Sequence, residues 1–247
     1  MRRLLLLILF VFMLICGLIA FTPLGFVMGQ SGAGNFVGWA KVDGTLMKGR
    51  VSGLYTGTQP IGDIDLELRP LSLLSLQPTY DVQWGGAGGR GTGVLTLTRS
   101  ALIGRDLRVQ QELGALEGLS PPVRAMGGSL RLSDGAFRIT PEGCESASGT
   151  LSTDTLTALA AQYGRQFGQI SGPIRCLEGA FVIDMEGVGD NGDRVEIDAS
   201  ANFAGFGEFT TQVETQDAQI VIALTQVGFQ RENGRFVYRQ SRTLGLP

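Results

Sequence analysis

Histidine is absent from this 247-residue chain. That absence excludes Ser-His-Asp and Cys-His nucleophiles, histidine-ligated metal sites and histidine as a general base. Charge is scarce as well. Charged residues make up 17%, against roughly a quarter of an ordinary globular domain. The balance is 20 basic to 23 acidic residues, a net −3, so the chain lacks the basic field of a nucleic-acid binder. The only lysines, Lys41 and Lys48, read as interfacial charges. No serine sits in a G-x-S-x-G elbow or beside an S-x-x-K lysine, which removes two further nucleophile patterns. With 3 cysteines and no histidine, soft metal ligands are too few for a zinc site. No cofactor and no metal are expected.

Glycine and apolar residues are abundant. The 37 glycines are about twice normal usage and are scattered among a 43% hydrophobic composition. That mixture points to many turns and bulges.

The N-terminus carries the longest apolar run. Arg2 and Arg3 precede residues 4–21, from Leu4 to Phe21, which hold no charge. At about 1.5 Å per residue the run spans roughly 27 Å, close to the hydrocarbon core of a bilayer. The arginines should hold the N-terminus in the cytoplasm. The expected organisation is a cytoplasmic tip and transmembrane anchor over residues 1–29, then one extracytoplasmic domain over residues 30–247. A cleaved signal peptide is the competing reading. Its best cleavage site, Val27-Met28-Gly29, comes late, and Ala20 has Leu18 at the −3 place. Cys16 follows Ile15, where a lipoprotein signal needs a small residue.

Cys16 lies inside the apolar run, which leaves Cys144 and Cys176 as one pair. In an oxidising compartment an even pair reads as a disulfide.

Most of the exported part reads as strands. Asp63-Ile64-Asp65-Leu66-Glu67-Leu68 alternates polar and apolar, as does Val94-Leu95-Thr96-Leu97-Thr98. Ser129-Leu130-Arg131-Leu132-Ser133 precedes an Asp134-Gly135 turn and a second strand, Ala136-Phe137-Arg138-Ile139-Thr140. Further strands are expected over residues 107–111, 180–185, 194–199, 208–214 and 219–224. Asp190-Asn191-Gly192-Asp193 and Glu232-Asn233-Gly234-Arg235 are hairpin-turn signals. Period-2 alternation with turns every 8–12 residues predicts an antiparallel sheet covering a core on one face. One segment differs. Residues 153–167 place Leu156, Leu159, Ala160, Tyr163 and Phe167 at helical spacing. The expected fold class is therefore mainly β: an N-terminal transmembrane helix, then an antiparallel β-rich extracytoplasmic domain with one short helix. A weak repeat relates residues 134–139 to 178–183 and reads as two similar hairpins of one sheet.

Two patterns resemble chemical sites. Gly86-Ala87-Gly88-Gly89-Arg90-Gly91 satisfies G-x-G-x-x-G, but a strand follows it, whereas a dinucleotide site needs a helix there. It reads as a flexible β-turn or bulge. Asp184, Glu186, Asp190 and Asp193 cluster about a hairpin and could bind Ca²⁺ or act as acid and base. Turn chemistry explains them as well.

Three features together resemble the type II secretion system protein N family. One is the order of short basic tip, apolar anchor and β-rich exported part. Another is Val42-Asp43-Gly44-Thr45-Leu46-Met47-Lys48-Gly49, followed by Leu66-Glu67-Leu68-Arg69-Pro70-Leu71-Ser72-Leu73-Leu74. The third is Cys144-Glu145-Ser146-Ala147-Ser148-Gly149-Thr150-Leu151 with Ile174-Arg175-Cys176-Leu177-Glu178-Gly179. The resemblance implies a non-enzymatic, accessory inner-membrane component of the bacterial machine that exports folded periplasmic proteins. Its implied partners are the other inner-membrane platform proteins of that machine, or the secretin. The residues themselves leave a rival of another class, an AsmA-like envelope protein that binds or transfers lipid along an apolar sheet face. A hydrolase using carboxylates alone is a further alternative.

Overall fold

A computed structural model describes residues 4, 7, 10, 17, 21–30, 34, 37–56, 59–117, 121–125, 127–157, 166–189, 192–202 and 206–243. The described chain is built on one 14-stranded antiparallel sheet. The strands are β1 (Lys41–Gly44), β2 (Lys48–Thr56), β3 (Gln59–Leu68), β4 (Thr79–Gly86), β5 (Gly89–Leu97), β6 (Leu102–Glu112) and β7 (Ser129–Thr140). They continue as β8 (Gly143–Thr153), β9 (Ile170–Leu177), β10 (Ala180–Val188), β11 (Arg194–Ala201), β12 (Phe206–Glu214), β13 (Gln230–Glu232) and β14 (Arg235–Thr243). Sequence order is also spatial order through β12, after which β14 lies between β12 and β13. From β1 to β12 each strand therefore pairs with its chain neighbours, a common arrangement of consecutive strands.

Three helices are described: α1 (Leu24–Gln30), α2 (Pro121–Ala125) and α3 (Ala218–Gln226). Of the expected anchor, residues 4, 7, 10, 17 and 21 are described, and these are helical. Among the described residues no helix is long and apolar enough to cross a membrane. Of the helix expected over residues 153–167, residues 155–157 form a helical turn, Thr153 instead ends β8, Phe167 bridges Gly189, and residues 158–165 lie outside the described residues.

The glycine-rich motif is a tight hairpin. Ala87 and Gly88 take φ of 49° and 75° between β4 and β5, the left-handed pair of a type I′ turn. Asn233 and Gly234 repeat it between β13 and β14, at 49° and 87°. β10 and β11 pair up to Val188 opposite Arg194, as the turn signal between them predicts, although Asp190 and Asn191 lie outside the described residues.

Three expectations need correction. Asp134-Gly135 does not turn the chain: both residues lie within β7, where the register with β8 shifts between Ser133 and Ala136. The left-handed φ of 51° at Asp134 is absorbed as a β-bulge, which bends a strand without ending it. The related Glu178-Gly179 does form a hairpin turn, so the two repeat units differ. β6 is longer than the expected residues 107–111 and also has register shifts, around Asp106. Residues 219–224 are helical instead of extended. Asp217 caps α3 by accepting hydrogen bonds from the Gln219 and Ile220 backbone N–H groups at 2.7 and 3.1 Å. Val221 and Leu224 then pack on the core, so capping and a buried helical stripe outweigh the strand preference of the β-branched residues.

The core has two centres. Near the N-terminal end, Leu24 of α1 joins Val51 and Leu54 of β2. Near the C-terminal end, Ile170, Met185, Val195, Val213 and Phe236 cluster beneath Phe167, Val221, Leu224 and Phe229.

Candidate functional site

The strand register sorts the side chains into two unlike faces. On one face, Ile64, Leu66 and Leu68 of β3 stand opposite Trp84, Val82 and Tyr80 of β4. The row continues through Leu95 of β5 beside Tyr80, and through Val109 of β6 beside Gly91. It then runs through Leu132 and Phe137 of β7, which pair with Leu151 and Ala147 of β8. Beyond β8 it passes to Ile174 of β9, Ile183 of β10 and Ala199 of β11. No carboxylate, lysine or arginine is paired into this row. We call it the inner face, because both core clusters lie on it.

The opposite face carries cross-strand ion pairs. Arg50 grips Asp65 with contacts of 2.7 and 2.5 Å, and Arg69 holds Asp81 at 3.0 and 2.7 Å. Arg138 meets Glu145 at 2.6 Å, Arg235 meets Glu196 at 3.2 Å, and Arg175 pairs with Asp184. Hydrogen bonds from Arg50 and Arg69 hold the Asp65 and Asp81 carboxyls below their usual range. At Asp154 burial opposes ionisation, yet hydrogen bonds from Ser129 and the charge of Arg131 still leave the carboxyl lowered. On the inner face burial pushes the Tyr80 phenol up, because it disfavours the phenolate. The sheet thus sets an apolar face against a charged one whose arginines pair with neighbouring carboxylates.

Among the described residues, this face is thinly covered between the two core clusters. β4–β7 contribute no buried side chain to either cluster, and Leu97 is 45% exposed. Among the described residues, the main helix contacts are α1 on β1 and α2 on a 3-10 turn at Leu113–Ala115. The side chains shelter one another instead. Phe137 lies over Gly104, where an added Cβ would stand 2.5 Å from the ring, and Trp84 lies over Gly89 and Gly91. The Trp84 indole N–H is spent on the Ile61 carbonyl at 2.7 Å. Glycine on the neighbouring strand lets a large ring lie flat, so the face stays smooth and apolar. The face also curves. Phe137 of β7 and Phe181 of β10 meet edge to face at 6.4 Å, although β8 and β9 lie between them in the sheet order.

Cys144 and Cys176 form a disulfide with Cα atoms 5.6 Å apart. The bridge sits where β8 and β9 stop pairing. Their ladder covers only Thr150 to Thr153 against Pro173 to Ile170. Beyond it Cys144 instead donates its N–H to the Gly179 carbonyl at 2.9 Å. The disulfide thus closes a gap in the ladder of the middle strands.

Of the acidic cluster, Asp190 lies outside the described residues. Asp184 and Glu186 lie opposite Asp198 and Glu196 on the charged face, with Asp184 paired to Arg175 and Glu196 to Arg235. Among the described residues no group of three potential ligands could hold a metal ion. Sequence reasoning missed the exposed Leu71, Leu74 and Leu76, whose signal is the charge-free stretch from Pro70 to Tyr80.

No curated protein matches this chain, and no solved structure does. A family model described as type II secretion system protein N matches residues 35–239. That match takes in the whole sheet apart from the last residues of β14, so the chain belongs to the type II secretion system protein N family.

Proposed function

We propose that the protein is an accessory inner-membrane component of type II secretion that works by non-covalent docking and performs no turnover. In this reading residues 4–21 span the membrane once, residues 1–29 form the tip and anchor, and residues 30–247 lie in the periplasm. The inner sheet face receives another platform protein of the machine, or the secretin. The observation that carries the reading is the uncharged row from β3 to β11 in a member of this family. Burying such a face on a partner yields about 25 cal/mol per Å² of apolar area, without stripping water from an ion. A deletion strain tests it. Export of folded enzymes should fall, and return with the wild-type gene but not with Phe137→Asp. Unchanged export in the deletion strain overturns the reading.

A second reading rests on the same face. The side chains of β4–β7 lie outside both core clusters, and acyl chains could occupy such a surface. Purification of the full chain in mild detergent, with extraction and mass analysis of bound lipid, separates the two. Stoichiometric lipid displaced by Phe137→Asp favours lipid handling, and lipid-free protein removes it.

A further inference from the structure

We infer that the turn joining β3 and β4 is a second membrane contact, inserting Leu71, Leu74 and Leu76 into the same bilayer that holds residues 4–21. The inference rests on the proposed anchor. These leucines are 80%, 75% and 76% exposed, in a turn with no charge from Pro70 to Tyr80. Three large apolar side chains on one short turn are more than scattered surface exposure accounts for.

The polar groups of the turn point back into it. Ser72 Oγ donates to the Arg69 carbonyl at 2.6 Å and accepts from the Thr79 N–H at 2.9 Å. Ser75 Oγ donates to the Ser72 carbonyl at 2.8 Å, and the Leu76 N–H donates to the Leu73 carbonyl at 3.1 Å. Backbone entering lipid must satisfy its polar groups internally, and this 3-10 turn, Pro70–Ser75, largely does so. Arg69 marks its base, with its charge held on Asp81.

Position supplies the occupant. The N-terminal segment joins the sheet at the same edge: the Leu46 N–H donates to the Thr22 carbonyl at 3.1 Å, and Pro23 bridges Thr45. Thr45 and Leu46 lie in the turn between β1 and β2, and the Leu68 N–H donates to the Met47 carbonyl at 2.8 Å. The β3–β4 turn is two strand positions along, about 10 Å at the usual strand spacing. A sheet edge held against the bilayer by residue 22 brings the leucine turn to the same surface. Two contacts then fix the tilt of the sheet, which one flexible tether would not.

The test uses the full chain with Cys16→Ser, reconstituted in vesicles of phosphatidylethanolamine and phosphatidylglycerol. An environment-sensitive fluorophore is attached at Phe10→Cys, Leu74→Cys or Val188→Cys, the last on the opposite edge and 56% exposed in the native chain. The labels at positions 10 and 74 should emit blue-shifted light at least twofold brighter than at 188, and a lipid-borne quencher should dim them. A Leu74 label that behaves like the Val188 label, while Phe10 reads lipid, overturns the inference and leaves the anchor standing. A Phe10 label that reads water overturns both. A Leu74 label that is blue-shifted yet unquenched by lipid assigns the turn to a protein contact and likewise overturns the inference.

Discussion

Replacing Cys144 and Cys176 together by alanine should cost the fold about 3.7 kcal/mol. That figure is the chain-entropy term for closing a loop of about 33 residues, set by the sequence separation of 32. The local structure argues that little compensates for the loss. β8 and β9 share four register pairs, Thr150 to Thr153 against Pro173 to Ile170, and the bridge lies beyond the end of that ladder. Cys144 is also 5% exposed, so losing its sulfur adds a small packing defect. A loss of about 3.7 kcal/mol should lower the urea midpoint by roughly 1–2 M at an m-value of about 2–3 kcal/mol/M. The assay is urea unfolding of the detergent-solubilised full chain, followed by far-ultraviolet circular dichroism, for wild type and the double variant. Reduction of the wild type with dithiothreitol should reproduce the variant's curve. A midpoint change below about 0.3 M would refute the reasoning. It would mean that the β8–β9 gap is held by other contacts, or that the unfolded chain is already compact there.

Asp217→Ala removes the α3 cap and should cost about 1 kcal/mol, lowering the melting temperature by roughly 2–4 °C; no change would mean that packing alone holds α3. Gly104→Leu places a side chain where the Phe137 ring now lies and should destabilise by about 1–3 kcal/mol, with a return towards wild type in the double variant Gly104→Leu/Phe137→Ala. Additive losses in that pair would show that the two residues do not touch. Stability should be flat from about pH 5.5 to 8, since no histidine titrates there. Asp65, Asp81 and Glu232 have folded pKa values lowered by arginine partners. Their contribution is complete above the ordinary carboxylate range near about 4 and is lost as pH falls through the lowered values. A midpoint that drifts between pH 6 and 8 would contradict this.

Much of the sheet was legible because alternation is local. The 63–68 and 194–199 patterns needed only their own residues, and Asn233-Gly234 needed only its intrinsic preference for left-handed φ. Asp134-Gly135 shows the limit. The same kind of dipeptide makes a turn at Glu178-Gly179 and a bulge in β7, and the difference lies in whether the next strand can pair across it. α3 was misread because Ile220, Val221 and Ile222 favour strands, while the deciding groups were the Asp217 cap and a core assembled from β9 to β14. The disulfide was legible from the expectation of an oxidising compartment and from parity; its place at the gap between β8 and β9 was not. The inner face could be read strand by strand, but its continuity depends on register across at least nine strands. The exposed Leu71 and Leu74 passed as part of a family pattern and Leu76 lay just beyond it, since exposure is a property of the fold.

The most direct test of the docking account is photo-crosslinking from the inner face in native membranes. Probes replace Tyr80, Phe137 and Phe181, which share that face, with Glu145 on the charged face as the control. The account predicts crosslinks to platform proteins or the secretin from the three inner positions and few from Glu145. Crosslinks mainly from Glu145, or lipid adducts alone from the inner positions, would contradict it.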